Sequence, residues 1–167
     1  MPVSATDVRE LRELTGAGML DCKKALDEAG GDLEKAKLIL RKKGIDVAAK
    51  RAERSTAEGL VISYIHHNNR LGVLLEINCE SDFVARTDDF RELAQKIARQ
   101  VAGANPLYIT PEEIPEGHTE DPKAVCLLLQ PYIQDESVTT GDLITEAISK
   151  TGENIRVRRF ARFELGR

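Results

Sequence analysis

The residue types able to do covalent or metal chemistry are few in this chain and poorly spaced for it. Three cysteines, Cys22, Cys79 and Cys126, lie far apart with no C-x-x-C pair, so neither a disulfide framework nor a zinc knuckle is expected. Cys22 and Cys79 fall on apolar stretches, where a thiol behaves as a small hydrophobe. His66 and His67 are neighbours, and adjacent side chains on a strand point to opposite faces, which does not build a metal site. No Gly-rich phosphate loop, H-E-x-x-H or G-x-S-x-G occurs, and the carboxylates are scattered rather than paired for acid–base work. The expectation is a protein with no catalytic residue, no bound metal and no cofactor.

The residues that do stand out suit contact. Asn78-Cys79-Glu80-Ser81-Asp82-Phe83-Val84-Ala85-Arg86 joins a strand to a helix, and such connections lie at the surface. Yet this one carries Phe83 and Val84. Two readings are open: Phe83 folds back over the core while Asp82 caps a turn, or the segment faces outward as a partner contact. In Thr15-Gly16-Ala17-Gly18-Met19-Leu20-Asp21-Cys22-Lys23-Lys24-Ala25-Leu26, Met19 and Leu20 are adjacent and cannot both point into a small bundle equally well. Either both are ordinary core or one is an exposed, adaptable contact. Lys23-Lys24 reads as a solvated face. Arg158-Arg159-Phe160-Ala161-Arg162-Phe163-Glu164-Leu165-Gly166 interleaves Arg with Phe, a pattern that could stack RNA bases. A solvated, edge-protecting arginine face is the reading favoured by the net charge of −4.

These segments need elements to position them. Ser4-Ala5-Thr6-Asp7 can start a helix, and Val8, Leu11 and Leu14 recur on one of its faces. Thr15-Gly16-Ala17-Gly18 breaks it. A second helix carries Met19, Cys22, Leu26 and Ala29 and ends at Gly30-Gly31. Asp32 caps a third, with Leu33, Ala36, Ile39 and Leu40 inward, which Gly44 is expected to stop. Residues 46–58, rich in Ala and charge, read as an exposed helical linker. The period then changes. Leu60 to Ile65, and Val73, Leu75, Ile77 and Cys79 alternating with Leu74, Glu76 and Asn78, read as a hairpin turning at His67-Asn68-Asn69. Thr87-Asp88-Asp89 opens a helix with Phe90, Leu93, Ala94, Ile97 and Val101 on one stripe, ended by Asn105-Pro106. Residues 106–122 read as a loop around a short strand at Leu107-Tyr108-Ile109, and Ala124 to Ile133 is ambiguous between helix and strand. Thr139 to Lys150 reads as a helix closed by Gly152. A last strand sets Ile155, Val157, Ala161, Phe163 and Leu165 against Arg156, Arg158, Arg162 and Glu164. The expected fold class is α+β, with an α-helical head, a linker helix, and an antiparallel sheet core with packed helices.

Composition bounds the function classes. Aromatic residues make up 4% of the 167 residues and there is no Trp, so the core is aliphatic. A chain with more acid than base is not a dedicated nucleic-acid binder. Its charge is uneven: residues 153–167 hold five Arg and two Glu, which suits partner steering. Met1-Pro2-Val3-Ser4-Ala5 has neither the basic nor the apolar stretch of a secretory leader, and a cytoplasmic, reducing compartment is expected.

Taken together, these three segments resemble signatures of the bacterial translation elongation factor Ts family. The resemblance lies in Thr15 to Leu26 preceded by Glu10-Leu11-Arg12, in Asn78 to Arg86, and in Gly152-Glu153-Asn154-Ile155 with Arg158 to Gly166, in that order. It implies a ubiquitin-associated-like three-helix head over 1–45, a linker helix over 46–58, and an α+β core and dimerisation domain over 59–167. It implies a guanine-nucleotide exchange factor for elongation factor Tu, acting in translation elongation without direct nucleic-acid or membrane contact. Asp82, Phe83 and Val84 match the element that intrudes beside the GTPase's Mg²⁺ and nucleotide site; Met19, Leu20, Lys23 and Arg12 match the head's docking residues. Two departures stand out. Ser81 replaces the usual Thr, and residues 106–137 are abbreviated relative to long forms with a duplicated core. A homodimer with the C-terminal strands at or near its interface is therefore expected. Ala161 stands where some short relatives carry Cys, so no symmetric disulfide forms there. The competing readings are an adaptor whose head binds a peptide or ubiquitin-like partner, and an RNA binder using the terminal Arg/Phe strand. The adaptor has no need of Asp82-Phe83, and RNA binding would fall steeply with salt.

Overall fold

The computed structural model describes residues 3–167; Met1 and Pro2, read above for leader chemistry, lie outside the described residues. The head begins where local capping dictates. The Ser4 hydroxyl accepts from the Asp7 N–H and the Asp7 carboxylate accepts from the Ser4 N–H, a reciprocal cap that starts α1 (Ala5–Thr15). Helices α2 (Met19–Glu28) and α3 (Leu33–Arg51) follow, the latter capped by Asp32. Val8, Leu11, Cys22, Ala25, Leu26 and Ala36 form the head's own small core.

The expected stop at Gly44 does not occur. Helix α3 runs through it to Arg51, and no separate linker helix follows: residues 52–57 form a turn and an extended stretch leading into β1. The cause is tertiary. Gly44 is buried against α7 (Thr140–Thr151), where a Cβ would lie 3.6 Å from Thr145 Cγ2. That is an ordinary contact distance, so the packing of α3 on α7, and not a need for glycine, carries the helix through Gly44 despite the residue's poor helix propensity. The stretch beyond it is not an exposed spacer either, because Val47 and Ala48 pack on the main core. Arg41 adds an ion pair to Asp142, 2.6 Å away at the start of α7.

That main core lies under a three-stranded antiparallel sheet of order β1-β2-β5. Strands β1 (Glu58–Ile65) and β2 (Leu71–Cys79) form the expected hairpin, with Asn69 taking the left-handed backbone at its turn. Val73, Leu75 and Ile77 point from β2 onto α5 (Asp88–Ala104), which returns Phe90, Leu93, Ile97 and Val101, while α7 brings Ile144 and Ile148. Truncating such side chains to Ala costs about 2–5 kcal/mol. After α5, a 3₁₀ turn (Pro111–Glu113) leads to α6 (Pro122–Val125), and the ambiguous 124–133 stretch proves mixed. It is helical to Val125, bridges Tyr108 at Cys126, turns, and pairs β3 (Pro131–Tyr132) with β4 (Asp135–Thr139). Buried Gln100 and Gln130 hold this irregular backbone: Gln130 donates to the Ala104 and Ala124 carbonyls, and Gln100 accepts from the Ile133 N–H.

The last strand, β5 (Arg156–Glu164), departs from simple alternation. A bulge opposite Glu76 and Ile77 flips its phase, so Val157 faces the core while Ala161 and Phe163 face outward. Arg162 points inward instead and donates to the Ala102 carbonyl near the end of α5. The sheet's far side is therefore open, with Val61, Ile65, Leu74 and Phe163 all exposed and an ion pair of Glu76 with Arg159, 2.7 Å, in the row beside Val61.

Candidate functional site

The 78–86 segment folds by nested caps. Ser81 sits in extended backbone, and its hydroxyl accepts from the Val84 N–H to start α4 (Asp82–Ala85). Thr87 closes the turn by donating to the Val84 carbonyl at 2.7 Å, then caps α5 by accepting from the Phe90 N–H. Successive residues of a helix are rotated by about 100°, so one turn cannot bury both apolar neighbours. Val84 is 6% exposed and belongs to the main core, whereas Phe83 is 78% exposed. Phe83 does not fold back over the core. Val84 is the anchor and Phe83 the projecting group.

Asp82 points into solvent beside it. Its carboxylate pairs with Arg86 at 3.0 Å, both groups being largely exposed, an arrangement that holds little energy and is readily exchanged. The one-turn helix thus presents an anion and an unburied aromatic ring side by side. Beneath them, Cys79 is fully buried and donates to the Ser81 carbonyl at 3.1 Å. Burial first, and then the nearby Glu153 carboxylate, push its thiol up to about 11, so no thiolate forms near neutral pH.

The head residues gather elsewhere. Met19 and Leu20 are 44% and 64% exposed, so neither is ordinary core. With Lys23 they line a shallow groove completed by Val3, Ala5 and Val8. Arg12 is exposed on α1 but does not line that groove. Sequence reasoning missed two features. One is the open sheet face, hidden because the β5 bulge changes which residues share a side. The other is the contact of Glu153, seen in the sequence only as part of a matching signature, with the 78–86 segment 72 residues away. No cluster of potential metal ligands occurs among the described residues.

Comparison with known proteins shows the family of the chain. The family model described as "Elongation factor TS" matches residues 33–126. The chain is 50% identical to the elongation factor Ts of Thermotoga petrophila over 194 positions, covering 99% of this chain and 98% of the relative. This chain belongs to the elongation factor Ts family. The Fervidobacterium nodosum elongation factor Ts is also 50% identical, covering 99% of this chain and all of the relative. That of Acaryochloris marina is 50% identical over 98% of this chain and 82% of the relative. An alignment of 194 positions against a chain of 167 residues leaves at least 27 positions of the Thermotoga protein without a counterpart here. This member is short even beside short relatives.

Proposed function

We infer that this chain is the guanine-nucleotide exchange factor for elongation factor Tu in translation elongation, with α4 as the wedge that promotes GDP release. It is not an enzyme, and as a translation factor it acts in the cytoplasm. The observation that carries the wedge reading is the 78% exposure of Phe83 beside the exposed Asp82.

The physics is linkage. A factor that binds the nucleotide-free GTPase better than the GDP form must weaken GDP by the same factor. Every 1.4 kcal/mol of such coupling is about tenfold in affinity. Burying a Phe side chain in a partner pocket supplies about 1.5–3 kcal/mol, and it supplies it only where that pocket opens. Asp82 adds a carboxylate that competes for the donors and cation holding the phosphates, since Mg²⁺ is bound by few protein groups and by the nucleotide itself. Val84 supports the wedge from below. Met19, Leu20 and Lys23, with Arg12 at the margin, supply docking area on the head. An adaptor reading leaves the exposure of Phe83 without use.

We propose further that the chain is a homodimer joined through the open sheet face. Its support is that Val61, Ile65, Leu74 and Phe163 are exposed on one side of a single sheet, an apolar surface of the kind that marks an interface. Ala161 lies opposite Leu74 on that side, so two copies would meet without a disulfide. Leu74→Glu is expected to yield monomers by sedimentation, and an unchanged mass would contradict the dimer.

The exchange reading is tested by release of labelled GDP from elongation factor Tu. Strong acceleration at micromolar factor is expected. No acceleration would sink it.

A further inference from the structure

We infer that Glu153 is a positioning residue for exchange, its carboxylate acting through Ser81 to hold α4 in the orientation that presents Asp82 and Phe83. This rests on reading α4 as the wedge. Four residues are too few to hold a helical turn on their own, and Phe83, being exposed, gains nothing from the fold in its present position. Val84 and Ala85 pin the inner side of the turn to the core, and contacts from a distant segment set its start.

Gly152 ends α7 in the left-handed conformation and delivers Glu153 to the start of the wedge segment. One carboxylate oxygen of Glu153 accepts from both the Glu80 N–H, at 3.1 Å, and the Ser81 N–H, at 3.0 Å. The other accepts from the Ser81 hydroxyl at 2.5 Å. That last contact fixes the direction of the hydroxyl proton and leaves a lone pair for the Val84 N–H, the bond that starts α4. Hydrogen bonds to a charged acceptor are the strong kind. The link is also reciprocal. Glu80 accepts from the Asn154 N–H at 2.6 Å. The Asn154 side chain, itself buried, donates to the Ala52 and Arg54 carbonyls just past α3. The turn after α7, the wedge segment and the end of α3 are thereby tied at one point. Three chain segments over-determine the attitude of one helical turn, which is how a projecting group is held to within a fraction of an ångström.

The test separates positioning from plain stability. Glu153→Gln puts an NH₂ group where the Ser81 hydroxyl proton points, or turns that group toward the two backbone N–H donors. It is expected to lower the plateau rate of GDP release at saturating factor on the order of tenfold, the scale on which a displaced group loses its effect. The concentration for half-saturation should change little, while the melting temperature falls by a few degrees as charge-assisted bonds are lost, so the plateau is read where the variant is fully folded. In a Phe83→Ala background the same substitution should cost clearly less than in wild type, because the share of its effect that passes through that ring is already gone and only the share through Asp82 remains. An undiminished effect in that background, or a loss that tracks the melting temperature alone, overturns the inference and leaves Glu153 as fold support. Should Glu153→Gln unfold, Ser81→Ala with Ser81→Thr as the conservative rescue asks the same question: a lowered plateau restored by the hydroxyl supports the link, and equal plateaus overturn it. No acceleration by the wild-type chain overturns the exchange reading and this inference with it. Acceleration by wild type that Glu153→Gln leaves untouched overturns this inference alone.

Discussion

The wedge and the head groove both expose apolar side chains, yet they are built in opposite ways. Phe83 stands on a single helical turn, and a polar network reaching 72 residues along the chain fixes its base. Met19 and Leu20 stand on α2, ten residues long, with no side-chain cap at its Gly18 start and apolar neighbours around them. The difference matches two tasks. The task proposed for the one-turn helix, displacing ligands at a partner's metal site, needs direction, which charged hydrogen bonds give. A docking surface needs area, which an amphipathic helix gives at little structural cost.

That contrast can be broken in stages. The largest expected effect is on the wedge. Phe83→Ala should slow GDP release at saturating factor by about 10- to 100-fold, the equivalent of burying one Phe side chain. Its melting curve should barely move, because an exposed side chain contributes within about 0.5 kcal/mol of stability. Unfolding would show instead that the ring serves the core. Next comes the head. Leu20→Ala should raise the half-saturating concentration roughly fivefold, a typical loss for an interface residue worth about 1 kcal/mol, and leave the plateau intact. A lowered plateau would mean the head shares the wedge's task.

Smaller effects test what holds the two regions in relation. Gly44→Leu drives a side chain into Thr145 and Ser149 of α7. Overpacking of that kind costs about 1–3 kcal/mol, measurable by denaturant unfolding. Exchange by the folded fraction should then show a weakened midpoint. An unchanged stability would mean the crossing is looser than its 3.6 Å spacing indicates. The smallest effect belongs to Arg86→Ala. Its ion pair with Asp82 is exposed, so the change in exchange rate should stay below about threefold; a larger loss would make Arg86 a contact in its own right.

What was legible in the sequence was local. Ser4, Asp32, Thr87 and Thr139 announce helix starts because a cap is decided within four residues. The β1–β2 hairpin was legible because alternation on a half-buried strand repeats every second residue. The errors lie where distant segments decide. Gly44 reads as a stop until α7 is packed against it. The bulge before Arg159 reverses the side taken by Ala161 and Phe163, and a period-two count carried across it assigns them wrongly. Residues 135–139, Asp-Glu-Ser-Val-Thr, show no strand pattern and pair only with β3. The wedge itself was half legible. Two apolar residues in a loop were visible, but which of Phe83 and Val84 goes inward depends on the core that Val84 meets. The Glu153 link was invisible, since nothing in its local sequence points to Ser81.

One titration tests the central claim most directly: GDP release from elongation factor Tu, followed by stopped flow over a range of factor concentrations, for wild type, Phe83→Ala and Leu20→Ala. The wedge account predicts a lowered plateau for Phe83→Ala alone and a shifted midpoint for Leu20→Ala alone. A Phe83→Ala plateau equal to that of wild type would contradict it.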